Sequence, residues 1–160
     1  MTSRARSRLG VCLVGGAFFA LFFHWRPERI VLFAEGWPAG PRVVAMVAVI
    51  CAIAGILFSL WAINTLGKQW SFSARVIEGH QLVTHGPYAI VRNPIYASMA
   101  LWLVALALTF ATPARLAIAL SLYVVGTLMR VRAEEELMRA TFGEQWEDYR
   151  RRVPALIPWL

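Results

Sequence analysis

Two clusters of polar residues hold the side chains able to do chemistry. The first is His80, Gln81, Leu82, Val83, Thr84, His85, Gly86, Pro87 and Tyr88, followed by Arg92, Asn93, Pro94, Ile95 and Tyr96. The second is Arg130, Glu134 and Glu135. An arginine can grip a carboxylate through two parallel charge-assisted hydrogen bonds. Arg130 and Glu134 are also one helical turn apart, the spacing of an ordinary surface ion pair worth about 0.3–0.5 kcal/mol. His80 and His85 are five apart. That spacing puts them on different helix faces, with no Cys or acidic partner nearby, so a metal site is not expected. Tyr88 and Tyr96 fit either a binding site or an interfacial aromatic belt.

The elements that must position these residues are apolar blocks. Of 160 residues, 59% are hydrophobic and 16% charged, against roughly 25% charged in an average soluble domain. Residues 43–66 contain no charge, nor do 95–112, and 116–129 follow after Thr-Pro-Ala-Arg. A fourth block, 9–23, follows Arg4, Arg6 and Arg8 as a secretory signal would. No small-residue cleavage site succeeds it, so it reads as a retained first helix. A transmembrane helix needs about 20 apolar residues. The expected fold is therefore an all-α integral membrane bundle of about four transmembrane helices, a single domain over 1–160. The break at Thr112-Pro113-Ala114 reads as a tight helical hairpin, because proline stops a helix at the residue before it.

Charge sets the orientation. Four spans place Arg4, Arg6, Arg8, Lys68, Arg75, Arg92, Arg130, Arg132, Arg139, Arg150, Arg151 and Arg152 on one side, and Arg26, Arg29, Arg42 and Arg115 on the other. By the positive-inside rule the richer side is cytoplasmic, with both ends of the chain. In a bacterium this is the inner membrane. The net charge of +7 then serves contact with anionic lipid headgroups. Nucleic acid is not an expected partner, because no soluble domain is left to present a groove. Cys12 and Cys51 lie inside apolar blocks and read as packing residues. No Gly-x-Gly-x-x-Gly segment follows a strand pattern, which excludes a soluble Rossmann-type domain.

After the last block, Glu134 to Arg139 is dense in helix formers, with an apolar stripe of Leu137, Met138 and Phe142 and a stop signal at Gly143. A short amphipathic turn carries Trp146 and Tyr149, three apart, and residues 153–160 are extended by prolines. This region is too polar to span and is expected as a cytoplasmic amphipathic helix at the interface or folded back on the bundle.

Gly86-Pro87-Tyr88, then Arg92-x-Pro94-x-Tyr96 at the start of an apolar hairpin, resembles the cofactor-binding segment of the isoprenylcysteine carboxyl methyltransferases and their phospholipid N-methyltransferase relatives. Arg130-x-x-x-Glu134-Glu135, Phe142-Gly143, Trp146 with Tyr149, and Arg152-Val153-Pro154 resemble that family's closing segment. The resemblance covers about 64 to 160, with both segments in order and a membrane hairpin between them. It implies S-adenosyl-L-methionine as cofactor, bound at the cytoplasmic face. His80, Gln81, Leu82 and Val83 would line its nucleoside and amino-acid ends. Tyr88 would pack on it, Asn93, Pro94, Ile95 and Tyr96 would close the other wall, and Glu134 would bind a polar end. Arg130 falls where the carboxyl methyltransferases hold the acceptor. The family pattern has His where this chain has Asn93; an amide keeps a neutral-donor role and loses a proton-shuttle role. The implied activity is methyl transfer to a lipophilic or lipid acceptor that enters from the bilayer. Carboxylate O-methylation is favoured by Arg130. The alternatives are phospholipid amine N-methylation and a non-catalytic protein that keeps the pocket.

Overall fold

The computed structural model describes residues 3–22, 40–67 and 81–157, all helix, turn or coil. Among them are α1 (Ser3–Phe22), α2 (Pro41–Leu66), a 3-10 turn (Gly86–Ala89), α3 (Pro94–Phe110), α4 (Pro113–Phe142) and α5 (Glu144–Arg152). Pro41, Pro94 and Pro113 each open a helix, where the missing N–H costs nothing and the fixed φ suits the first turn. Thr112 caps α4 by accepting the Arg115 amide at 3.5 Å.

α4 runs unbroken for 30 residues, so the last apolar block and the Arg130–Arg139 stretch form one helix. Gly143 ends it at φ 53°, its amide donating to Arg139 O at 3.0 Å. Only glycine takes that left-handed backbone without penalty. α5 follows with Glu144 and Glu147 in its first turn and Arg150, Arg151 and Arg152 in its last, matching the helix dipole at both ends. Its apolar residues Trp146 and Tyr149 face inward and are buried.

The helices pair antiparallel. α1 lies on α4: Arg6 reaches Glu136 and Ser7 reaches Arg130 at one end, while Phe18 meets the Tyr123 ring further along. α2 lies on α3, with Trp102 packed into the notch at Gly55 and Val44 and Ala48 against Leu108. Val14, Ala17 and Leu21 join Leu103, Ala107, Ala119 and Tyr123 in the core that ties the pairs together.

α2 and α4 are long and apolar enough to cross a membrane, with mean hydropathies of 2.8 and 1.5 over their most apolar windows; α3, at 17 residues, is shorter. Outward residues of α2 such as Met46, Ile50, Ile53, Leu57 and Leu60 are exposed. Acyl chains solvate such a face, which water would not. The expectation for the cysteines is corrected: Cys12 is exposed and Cys51 half-buried, because an apolar stretch of helix is not the same as a buried one.

α1 and α4 touch at glycines. A Cβ at Gly126 would lie 2.8 Å from Leu13 Cβ and 2.9 Å from Gly10 O, whereas one at Gly15 would meet nothing within 4 Å. Small residues at such crossings let helix backbones approach. Gly126→Ala is therefore expected to cost about 1–3 kcal/mol by overpacking, and Gly15→Ala to gain up to about 1 kcal/mol. Thermal melting of the two purified variants checks this, and equal midpoints would show that α1 does not rest on α4 at Gly126.

Candidate functional site

α3 and α4 bring Tyr96, Arg130 and Glu134 into direct contact. Arg130 Nη2 donates to Glu134 Oε1 at 2.7 Å, Arg130 Nε donates to Tyr96 Oη at 2.8 Å, and Tyr96 Oη donates to Glu134 Oε1 at 2.7 Å. The three side chains form a closed ring of charge-assisted hydrogen bonds. It is partly shielded, with the Arg130 and Glu134 side chains 13% and 24% exposed. Arg130 Nη1 also donates to Ser7 Oγ at 3.3 Å, and a Cβ at Gly10 would lie 2.8 Å from Arg130 Cγ. The arginine is thus pinned from α1 as well. The Tyr123 hydroxyl donates to Tyr96 O, holding the first turn of α3 against α4.

Glu134 Oε2 takes no hydrogen bond among the described residues. Both contacts fall on one carboxylate oxygen, Oε1, which faces Arg130 and Tyr96.

The turn that carries Tyr88 is set by Gly86, at φ 61°, where a Cβ would lie 3.2 Å from Thr65 Oγ1 at the end of α2. Pro87 and Tyr88 are buried behind it. Burial pushes the Tyr88 phenol well above its ordinary range, and the Tyr149 ring and the Glu134 carboxylate push the same way. Tyr88 is therefore a neutral aromatic donor throughout the physiological range, and not a base.

The other expected site residues divide. Pro94 is fully buried and Ile95 half-buried in the first turn of α3. The Asn93 side-chain amide donates to Ala155 O at 3.1 Å, so this neutral donor holds the segment after α5. Leu82 and Val83 are half-buried and Gln81 exposed in the extended stretch before the turn. His80 lies outside the described residues. Arg130 and Glu134 also carry each other's charge across one helical turn.

The sequence reading missed Ser7, Gly10, Tyr123 and Tyr149 as supports of the site. Nothing in local spacing marks Ser7 or Gly10, which meet Arg130 across more than 100 residues of chain. Tyr149 had a signal, an aromatic three residues from Trp146 in a charged helix.

The polar cluster lies at one end of a helical bundle with two helices apolar enough to cross a membrane, and comparison with known proteins supplies the family. The model of the phospholipid methyltransferase family matches residues 43–145, from the first turn of α2 to the first turn of α5. The chain belongs to that family. It is 28% identical over 120 residues to a probable protein-S-isoprenylcysteine O-methyltransferase of Oryza sativa subsp. indica, covering 73% of this chain and 62% of that protein. It is 32% identical over 111 residues to protein-S-isoprenylcysteine O-methyltransferase B of Arabidopsis thaliana, covering 68% and 56%. It is 29% identical over 163 aligned residues to methanethiol S-methyltransferase of Mycobacterium tuberculosis, covering 93% and 62%. The chain thus spans 56–62% of the length of these relatives, all named as methyltransferases.

Proposed function

We propose that this protein transfers a methyl group from S-adenosyl-L-methionine to a lipophilic acceptor at the cytoplasmic face of the membrane, by carboxylate O-methylation of an isoprenylcysteine-like or other lipid acid. The observation that carries this reading, beside family membership, is the ring of Arg130, Glu134 and Tyr96 at one end of the bundle. The donor set suits the cofactor. Glu134 would accept a hydroxyl or ammonium of the cofactor, Tyr88 would offer a neutral aromatic ring, and Gln81, Leu82, Val83, Asn93, Pro94, Ile95 and Tyr96 would form the surrounding wall. When bound, S-adenosyl-L-methionine supplies a sulfonium methyl group already activated toward a nucleophile.

The chain's own residues then need only bind, orient and exclude water. Arg130 orients the acceptor carboxylate by its planar fork, Tyr96 and Ser7 hold that fork still, and Glu134 holds the cofactor beside it. Such positioning alone is worth roughly 7–11 kcal/mol of barrier. No proton has to move, because a carboxylate acceptor is already ionised at neutral pH.

The proposed topology is four spans with both ends cytoplasmic, supported by the antiparallel α1–α4 pair and the arginine asymmetry. Reporter fusions at residues 1 and 160 are expected on the cytoplasmic side; ends on opposite sides would remove a span.

A second reading is a neutral or cationic acceptor, a thiol or a lipid amine. It is favoured by the charge of Arg130 being matched by Glu134 and by the relative named for methanethiol. One experiment tests both: labelled S-adenosyl-L-methionine with membranes containing the protein, a lipid extract and methanethiol, followed by identification of the labelled product. Base-labile methyl ester is the expected product, labelled sulfide or amine supports the second reading, and no transfer to any acceptor would overturn the enzymatic reading.

A further inference from the structure

Arg92 and Glu135 belong to the same two motifs as Tyr96 and Glu134, yet they point elsewhere. Successive residues on a helix are rotated by about 100°, so Glu134 turns to Tyr96 and Arg130 while Glu135 turns to Arg92. Arg92 Nε and Nη2 donate to Glu135 Oε1 at 3.2 and 2.8 Å. Its Nη1 donates to Arg150 O at 2.8 Å and Val153 O at 2.7 Å. The guanidinium lies 5.9 Å from the centre of the Trp146 ring, and its side chain is only 9% exposed. Four of the five guanidinium donors are thus engaged within the protein. Two of the acceptors are carbonyls at the negative end of α5, where a cation is favoured. Glu135 is held from a second side by Arg150 at 3.9 Å.

The backbone around Arg92 is gripped by the same segment. Arg92 N donates to Pro154 O at 2.8 Å and Asn93 N to Ala155 O at 3.1 Å. The Asn93 amide joins on Ala155 O, and Tyr149 Oη donates to Tyr88 O at 2.7 Å. From Tyr88 to Asn93, then, the stretch that leads into the first turn of α3 is tied down by α5 and by residues 153–155.

We propose that Arg92 and Glu135 are a clasp that locks α5 and the segment following it onto the Tyr88–Asn93 stretch, and that Glu135, unlike its neighbour Glu134, is a positioning residue that touches neither cofactor nor acceptor. The clasp sets the entry of α3 and hence where Tyr88 and Tyr96 stand. This rests on the reading of that site as the cofactor pocket. It differs from a plain ion pair in what it requires of residue 92. The position must offer donors to two carbonyls as well as a charge to Glu135. Exchanging the charges puts a carboxylate against the carbonyl oxygens of Arg150 and Val153, so the swap cannot restore the clasp.

The test uses the full chain, purified in detergent, with two readouts. Limited trypsin digestion at Arg150, Arg151 and Arg152 reports release of the segment, and titration with S-adenosyl-L-methionine reports the pocket. Glu135→Gln keeps size and removes the charge. It is expected to speed cleavage about tenfold and weaken cofactor affinity by a similar factor, the effect of losing a charged hydrogen bond, with turnover at saturating cofactor within about twofold of the parent. Glu134→Gln is expected to weaken the cofactor with no change in cleavage. Arg92→Lys is expected to fall between the parent and Glu135→Gln in both readouts. The double variant Arg92→Glu with Glu135→Arg is expected to be no better than Glu135→Gln alone. Cleavage of Glu135→Gln at the parent rate would overturn the clasp. So would faster cleavage with unchanged affinity, or full restoration by the swap. Failure of the parent protein to bind S-adenosyl-L-methionine would overturn the pocket reading instead, and the cleavage rates of Glu135→Gln and Glu134→Gln would still decide whether the clasp exists.

Discussion

Arg130→Ala is expected to lower methyl-transfer turnover at least about tenfold, a loss of about 1.4 kcal/mol or more of transition-state stabilisation, while affinity for S-adenosyl-L-methionine stays level or improves. The sign of the second effect comes from the ring geometry. Arg130 and Tyr96 share Glu134 Oε1, and removing the guanidinium leaves the full carboxylate charge for the cofactor's cationic groups. Arg130→Lys keeps the charge but not the fork that reaches Tyr96, Ser7 and Glu134 together, so it is expected to recover only part of the turnover. Steady-state rates and calorimetry on the same purified protein separate the effects. Full turnover in folded Arg130→Ala would remove the acceptor role and favour the thiol or amine reading.

Glu134→Ala is expected to do the reverse, weakening cofactor binding by at least about tenfold, the scale of a lost charge-assisted hydrogen bond. Without the carboxylate, the Arg130 charge stands uncompensated beside Tyr96 and repels a cationic donor. The pair is thus expected to split, one partner lowering turnover and the other affinity. An ion pair with a purely structural role predicts something else: a similar drop in melting temperature for both variants and normal kinetics in the protein that stays folded. Measuring melting temperature with both kinetic constants for each variant decides between the two, and parallel losses would sink the division of roles.

The division between Glu134 and Glu135 shows why half of the site was legible and half was not. Residue type was enough to single out Tyr96, Arg130 and Glu134 as groups that need partners, because polar groups in an apolar chain are costly and stand out. Spacing of four along α4 also made the Arg130–Glu134 contact visible. Spacing could not say which carboxylate Arg92 would take, since the two glutamates are adjacent in sequence and only the rotation of α4 against α3 separates them.

The sequence by itself determined the apolar blocks, the break at Pro113, the stop at Gly143 and the aromatic pair Trp146 and Tyr149 of α5. Each is a local matter of backbone geometry or of helical periodicity, legible within one or two turns. Tertiary structure alone decided that α1 lies on α4 through Gly10 and Gly126, that Ser7 steadies Arg130, and that residues 153–155 grip the backbone of Arg92 and Asn93. Those contacts join residues 60 to more than 100 positions apart. They depend on helix rotation and on close approach of backbones, and a hydrophobic pattern carries no information about which neighbour an apolar face will meet.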